Sequence, residues 1–326
     1  MGLQFVIGLI GFVLLYYGAE WLVKGSSSLA RSLGITPMVI GLTVVAFGTS
    51  TPELVVSVIS AAKSKSMIAV GNVVGSNICN IALVLGAAAL FNPIRSHPSV
   101  VHRDIPIMVA VTVYLLILSM DSRLGRLEGL SLVAGVILYT CLNYYWARKA
   151  KVDGNTGRAD ALSGEVAEIG HVSSRLKQLL MIIAGIAGVI AGAEMVVDAA
   201  VTVMTVLGVS EKFIGLTIVA FGTSLPEFAT SVVAAIRKEM EISIGNLVGS
   251  NVFNLLSVLG LAAIVRPIPI PGGFFASGLW IDYLVMTLIS ALPYLMMRRT
   301  YTLTRRNGCI LLACYGAYLT YLIVKL

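Results

Sequence analysis

Residues 41–53 read GLTVVAFGTSTPE and residues 215–227 read GLTIVAFGTSLPE, identical at eleven of thirteen positions. A second pair follows: GNVVGSNICN at 71–80 and GNLVGSNVFN at 245–254 share seven of ten. Both pairs are offset by 174 residues, and the same offset relates Gly18-Ala19-Glu20 to Gly192-Ala193-Glu194. One constant offset over three pairs makes the two halves copies of each other. The most faithfully repeated residues are polar, which a duplication kept only for packing would not explain.

The rest of the chain is apolar. Of 326 residues 57% are hydrophobic and only 12% are charged, against roughly 25% charged in a soluble domain. Mean hydropathy is +0.92. The 32 glycines suit closely packed transmembrane helices. This excludes a cytosolic enzyme, a disordered chain and a secreted disulfide scaffold. The apolar runs are long and continuous, unlike the alternating strands of about 10 residues in a membrane barrel. Cys79, Cys141, Cys309 and Cys314 lie in apolar runs without a CxxC pair and are read as packing residues. The net charge of +7 is assigned to cytoplasmic loops and not to nucleic-acid binding. No nucleotide loop, nucleophile–base pair or redox motif is present, so neither enzymatic activity nor a cofactor is expected.

A span needs about 20 apolar residues. That criterion gives ten segments, at 3–30, 37–62, 67–91, 104–120, 127–147, 177–206, 212–236, 242–265, 278–297 and 308–325. The largest polar stretch, 148–176, separates two sets of five. With that stretch inside, 16 Lys and Arg fall on the cytoplasmic side and 7 outside. The basic excess predicts a multi-pass plasma-membrane protein with a cytoplasmic 148–176 linker and both termini outside. An odd number of spans per half turns the second copy upside down. The predicted fold is therefore all-α and polytopic, with ten transmembrane helices in two inverted five-helix repeats, 1–147 and 177–326. Inverted repeats with interrupted helices near the midplane characterise secondary transporters.

Glu53 and Glu227 fall mid-segment in spans two and seven. A carboxylate at the bilayer centre costs at least about 2.5 kcal/mol. Two at equivalent positions of inverted halves would meet near the centre, where a cation or a proton between them relieves the repulsion. Ser50, Glu53 and Ser57 are spaced i, i+3, i+7, as are Ser224, Glu227 and Ser231, and Thr49 and Thr223 share those faces. Pro52 and Pro226 lack an N–H and clash one turn back, at Gly48 and Gly222. Helices two and seven are therefore expected to open at Gly-Thr-Ser, freeing the carbonyls of Ala46, Phe47, Ala220 and Phe221. Asn72, Ser76 and Asn80, and likewise Asn246, Ser250 and Asn254, form polar stripes spaced i, i+4, i+8. Asn80 and Asn254 read as ion ligands. Asn72 and Asn246 read equally as ligands or as interhelical glue. Helices three and eight are expected to break at Gly75 and Gly249, capped by Asn77 and Asn251. All these donors are oxygens, which favours Ca²⁺ or Na⁺ over soft metals. Two carboxylates balance one Ca²⁺ or two Na⁺.

The motifs GTSTPE (48–53), GTSLPE (222–227), GSNICN (75–80) and GSNVFN (249–254) resemble the α-repeats of the sodium/calcium exchangers, within the cation/calcium exchanger superfamily. The resemblance extends over essentially the whole chain, without a long central regulatory domain. It implies Ca²⁺/Na⁺ antiport by alternating access, with the first and sixth helices sliding past a fixed core. It also implies that Glu53 and Glu227 are shared Ca²⁺/Na⁺ ligands. Thr49, Ser50, Thr223, Ser224, Ser76 and Ser250 would supply side-chain or backbone oxygens, and Ala46 and Ala220 carbonyls. One departure stands out: many relatives carry Asp where this chain has Asn254. The missing charge, with the close Glu pair, leaves H⁺ coupling on the same scaffold as the alternative to Na⁺ coupling.

Overall fold

A computed structural model describes residues 2–152, 172–208 and 220–325. Helices account for nearly all of it. α1 is Gly2–Leu33. α2 (Pro37–Thr49) and α3 (Thr51–Ala62) form a pair bent by 46°. α4 is Ser66–Phe91, α5 Val100–Ser119, α6 Arg126–Lys149 and α7 Arg175–Val206. The short α8 (Ala220–Gly222) leads into α9 (Leu225–Ile236). α10 is Met240–Val265, α11 Leu279–Met297 and α12 Arg305–Val324. Among the described residues eight helices are long and apolar enough to cross a membrane, or nine with the α2–α3 pair. The expected span at 212–236 falls partly on residues 209–219, and most of the 148–176 linker on 153–171, both outside the described residues.

α4 and α10 form the interior. Val70, Val73, Ile78, Ile81 and Leu85 of α4 and Leu247, Val252, Leu255 and Leu259 of α10 share one buried apolar cluster. The peripheral helices instead expose large apolar side chains, among them Phe5, Phe12 and Trp21 of α1, Ile137 of α6 and Ile183 of α7. Apolar surface of that extent faces lipid.

The 32-residue helices α1 and α7 lie antiparallel along a seam of glycines. A Cβ at Gly11 would sit 2.9 Å from the carbonyl oxygen of Gly192, and one at Gly25 2.9 Å from that of Gln178. Gly11, Gly18 and Gly25 recur every seventh residue, as do Gly185 and Gly192. That period returns small residues to one helix face and lets the backbones touch.

The halves are tied together at their ends. β1 (Ile94–Arg95), following α4, pairs with β4 (Thr302–Leu303) between α11 and α12. β3 (Ile268–Pro269), following α10, pairs with β2 (Arg123–Leu124) between α5 and α6.

The expected breaks in helices three and eight are not found. α4 and α10 run through Gly75 and Gly249 and carry π-helical turns slightly later, at Cys79–Leu85 and Asn254–Val258. Neither segment contains a proline, so no backbone donor is lost, and each helix takes up its wider turn without ending. Gly249 serves close packing: a Cβ there would lie 2.7 Å from both the Leu42 oxygen and the Ala46 Cβ.

Two ion pairs join α1 to the α9–α10 turn. Arg31 Nη2 lies 2.7 Å from Glu239 Oε1, which also accepts the Ser27 hydroxyl at 2.6 Å. Arg237 Nη2 pairs with Glu20 Oε1 at 2.5 Å. The residues offset from the second pair by 174, Lys63 and Glu194, are exposed and make no ion pair among the described residues. Glu239 is only 5% exposed, so truncation to Ala strands the Arg31 guanidinium and the Ser27 hydroxyl. Glu239→Ala is expected to cost about 1–3 kcal/mol, read as a lower melting temperature of the detergent-solubilised protein. An unchanged melt would show that the ion pair adds no stability.

Candidate functional site

The site begins with the interruption of two helices. Ser50 stands between α2 and α3 with φ −81° and ψ 8°, and Ser224 directly precedes α9 with φ −87° and ψ 5°. In both cases proline occupies the first turn of the next helix, where its missing N–H costs nothing. The bend brings Glu53 and Glu227 into the first turns of α3 and α9. Gly48 and Gly222 allow the bends to lie against α7: a Cβ on either would meet Ile186 or Val197 at 2.5 Å.

Glu53 and Glu227 are both completely buried. Each is held by a serine of the other half: Ser50 Oγ donates to Glu227 Oε1 at 3.0 Å, and Ser224 Oγ to Glu53 Oε1 at 3.5 Å. Through this exchange of partners each carboxyl is bonded to the serine three residues before the other. None of the ion pairs among the described residues involves either glutamate. Glu53 Oε2 and Glu227 Oε2 have no hydrogen-bond partner.

Asn80 and Asn254, also fully buried, join them. Each uses its Nδ2 on a partner in the other half: Asn80 donates to Asn251 Oδ1 at 3.1 Å and Asn254 to Asn77 Oδ1 at 3.3 Å. Their own Oδ1 atoms have no partner. Four buried acceptor oxygens thus lack donors. Each costs about 1–3 kcal/mol if left so, and the surplus is entirely of acceptors. Such a set suits a bound cation. His, Cys, Asp and Glu form no cluster of three or more among the described residues, so no third such side chain stands with the two carboxyls there.

The flanking hydroxyls complete the ring. Thr49 Oγ1 lies 3.1 Å from Asn246 Oδ1 and 3.4 Å from Ser250 Oγ. On the other side Thr223 Oγ1 lies 3.3 Å from Asn72 Oδ1 and 3.4 Å from Ser76 Oγ. The expected free carbonyl of Ala46 is only partly so: it accepts the Ser50 N–H at 3.1 Å. The Thr49 and Ser250 hydroxyls also approach it, at 3.4 and 3.5 Å. Ala220 opens α8. Asn72 and Asn246 are interhelical glue, because Asn72 bonds Ser57 Oγ at 2.9 Å and Asn246 bonds Ser231 Oγ at 3.0 Å, while their oxygens accept from the threonines. Asn77 and Asn251 cap no break. Each donates to the main-chain carbonyl of the other, at 3.3 and 3.2 Å. Their identical repetition at one offset was the signal that could have revealed this.

Residues 3–145 and 177–324 match the model of the family described as sodium/calcium exchanger protein. The chain belongs to the sodium/calcium exchanger family. It is 38% identical over 314 residues to the putative antiporter CaxA of Alkalimonas amylolytica, covering 95% of each chain. It is 36% identical over 317 residues to the inner membrane protein YrbG of Escherichia coli, covering 96% of this chain and 94% of the other. Among solved structures, the sodium-calcium exchanger NCX_Mj soaked with 2.5 mM Na⁺ and 0.1 mM Ca²⁺ superposes with TM-score 0.81 at 30% identity, covering 98% of both chains. This exchanger is thus a multi-pass membrane transporter of a cation/Ca²⁺ exchange family and not an enzyme.

Proposed function

We propose that this exchanger is a secondary antiporter that moves Ca²⁺ against Na⁺ by alternating access. The observation that carries the reading is the group of four partnerless buried oxygens, two from carboxylates and two from amides. Two negative charges balance one Ca²⁺ or two Na⁺, so one site accepts either load in turn. Ca²⁺ takes 6–8 oxygens in a flexible shell. Glu53, Glu227, Asn80 and Asn254 form the centre of the site. Thr49, Ser50, Ser76, Thr223, Ser224 and Ser250 add hydroxyl oxygens, and Ala46 and Ala220 carbonyls.

The same reading takes residues 1–147 and 177–326 as two inverted five-helix halves, ten spans in all, joined by a cytoplasmic 148–176 linker. The reciprocal Ser50–Glu227 and Ser224–Glu53 bonds support it, since the halves exchange equivalent contacts. The protein would lie in the plasma membrane with both termini outside, the arrangement favoured by its basic loops.

Purified protein in liposomes loaded with Na⁺ is expected to take up radioactive Ca²⁺ when diluted into Na⁺-free buffer. Uptake should collapse when Na⁺ is equal on both sides. Uptake that ignores the Na⁺ gradient but follows a pH jump would replace Na⁺ by H⁺ as the counter-ion. Downhill Ca²⁺ flux without any counter-ion would reject antiport altogether.

A further inference from the structure

The four asparagines at the crossing of α4 and α10 form a closed reciprocal network. Asn77 and Asn251 donate to each other's main-chain carbonyl, and their Oδ1 atoms receive the Nδ2 groups of Asn254 and Asn80. All four are at most 1% exposed. A primary amide has one accepting end and one donating end. Turned one way it ligates a cation; turned the other way it presents N–H groups and repels it. Nothing in an asparagine's own shape chooses between the two. Here the choice falls to Asn77 and Asn251, whose oxygens hold the donating ends and leave Asn254 Oδ1 and Asn80 Oδ1 without partners.

We propose that Asn77 and Asn251 are positioning residues that fix the orientation of the Asn254 and Asn80 amides and thereby set Ca²⁺ affinity. The inference rests on the reading of the four oxygens as a cation site. It deepens that reading by assigning a role to two residues outside the proposed ligand set. The network is crossed between the halves: Asn77 controls Asn254, and Asn251 controls Asn80.

The crossing gives a specific test. Asn77→Leu removes the acceptor for Asn254 and should raise the KM for Ca²⁺ about tenfold, with a much smaller change in maximal rate. The Ca²⁺-induced rise in melting temperature of the detergent-solubilised protein should shrink in parallel. A carboxylate has two equivalent accepting oxygens and no orientation to choose. In an Asn254→Asp background, therefore, adding Asn77→Leu should leave KM within about twofold of Asn254→Asp alone. Asn251→Leu should be rescued by Asn80→Asp and not by Asn254→Asp. Should Asn77→Leu not fold, Asn77→Ser also removes the carbonyl acceptor with less change in bulk.

An unchanged Ca²⁺ KM in Asn77→Leu and Asn251→Leu would overturn the proposal. So would an equal loss in the Asp backgrounds, which would mark a merely structural role. Glu53→Gln separates the two levels. If it abolishes the Ca²⁺-induced shift while Asn77→Leu keeps it, the positioning role fails and the site stands. If Glu53→Gln keeps the shift, the site and the inference built on it fail together.

Discussion

Glu53→Gln and Glu227→Gln are each expected to abolish gradient-driven Ca²⁺ uptake, with a loss of at least about a thousandfold in Ca²⁺ affinity. At an effective dielectric constant of about 20, two unit charges about 4 Å apart attract by about 4 kcal/mol, and a divalent ion doubles the figure. A factor of ten in affinity corresponds to about 1.4 kcal/mol, so the loss of either carboxylate outweighs any compensation by hydroxyls. Folding should survive. Each glutamate lies with a partnerless oxygen in a fully buried site, and a neutral amide of the same shape is no harder to bury. The measurements are radioactive Ca²⁺ uptake in liposomes and the elution profile of the solubilised protein. Near-normal uptake by either variant would remove that glutamate from the ion path.

The second large effect is structural. Gly18→Leu and Gly185→Leu are each expected to cost about 3 kcal/mol or more and to lower the melting temperature strongly. A Cβ at Gly18 would lie 2.7 Å from the Val189 nitrogen, and one at Gly185 2.6 Å from the Leu22 nitrogen. These obstacles are backbone atoms, which no rotamer change can move aside, so α1 and α7 must separate. Gly8→Ala on the same helix is the control, because its Cβ would meet the Ala199 Cβ at an ordinary 3.5 Å. Equal melts for Gly18→Leu and Gly8→Ala would mean that the seam contributes nothing.

Much of this exchanger was legible in its sequence because the constraints that shape it are local and strong. Pro52 and Pro226 dictate where a helix must stop, and the stops occur at Ser50 and Ser224 as the missing N–H requires. A glutamate in an apolar run needs a partner, and the repeat supplied its position. What stayed hidden depends on contacts between distant segments. Gly75 and Gly249 read as helix breakers, yet Gly249 lies in a continuous helix against the Leu42 carbonyl. The stripe spacing of Asn72 and Asn80 is the same, but only the approach of Ser57 and Thr223 turns the first into glue. The direction of an amide is invisible in a sequence, because it is decided by a neighbour 171 to 177 positions away.

The pairing of Glu20 with Arg237 has one more implication. Its counterpart under the repeat, Glu194 with Lys63, carries the same charges, but these two do not pair with each other. Motifs repeated at one offset thus do not carry every contact with them: the pair forms on α1 and its counterpart does not form on α7. The Arg31–Glu239 link has no such twin, since the corresponding residues are Thr205 and Lys65. At this end α1 is thus clasped by ion pairs that have no copy on α7 among the described residues.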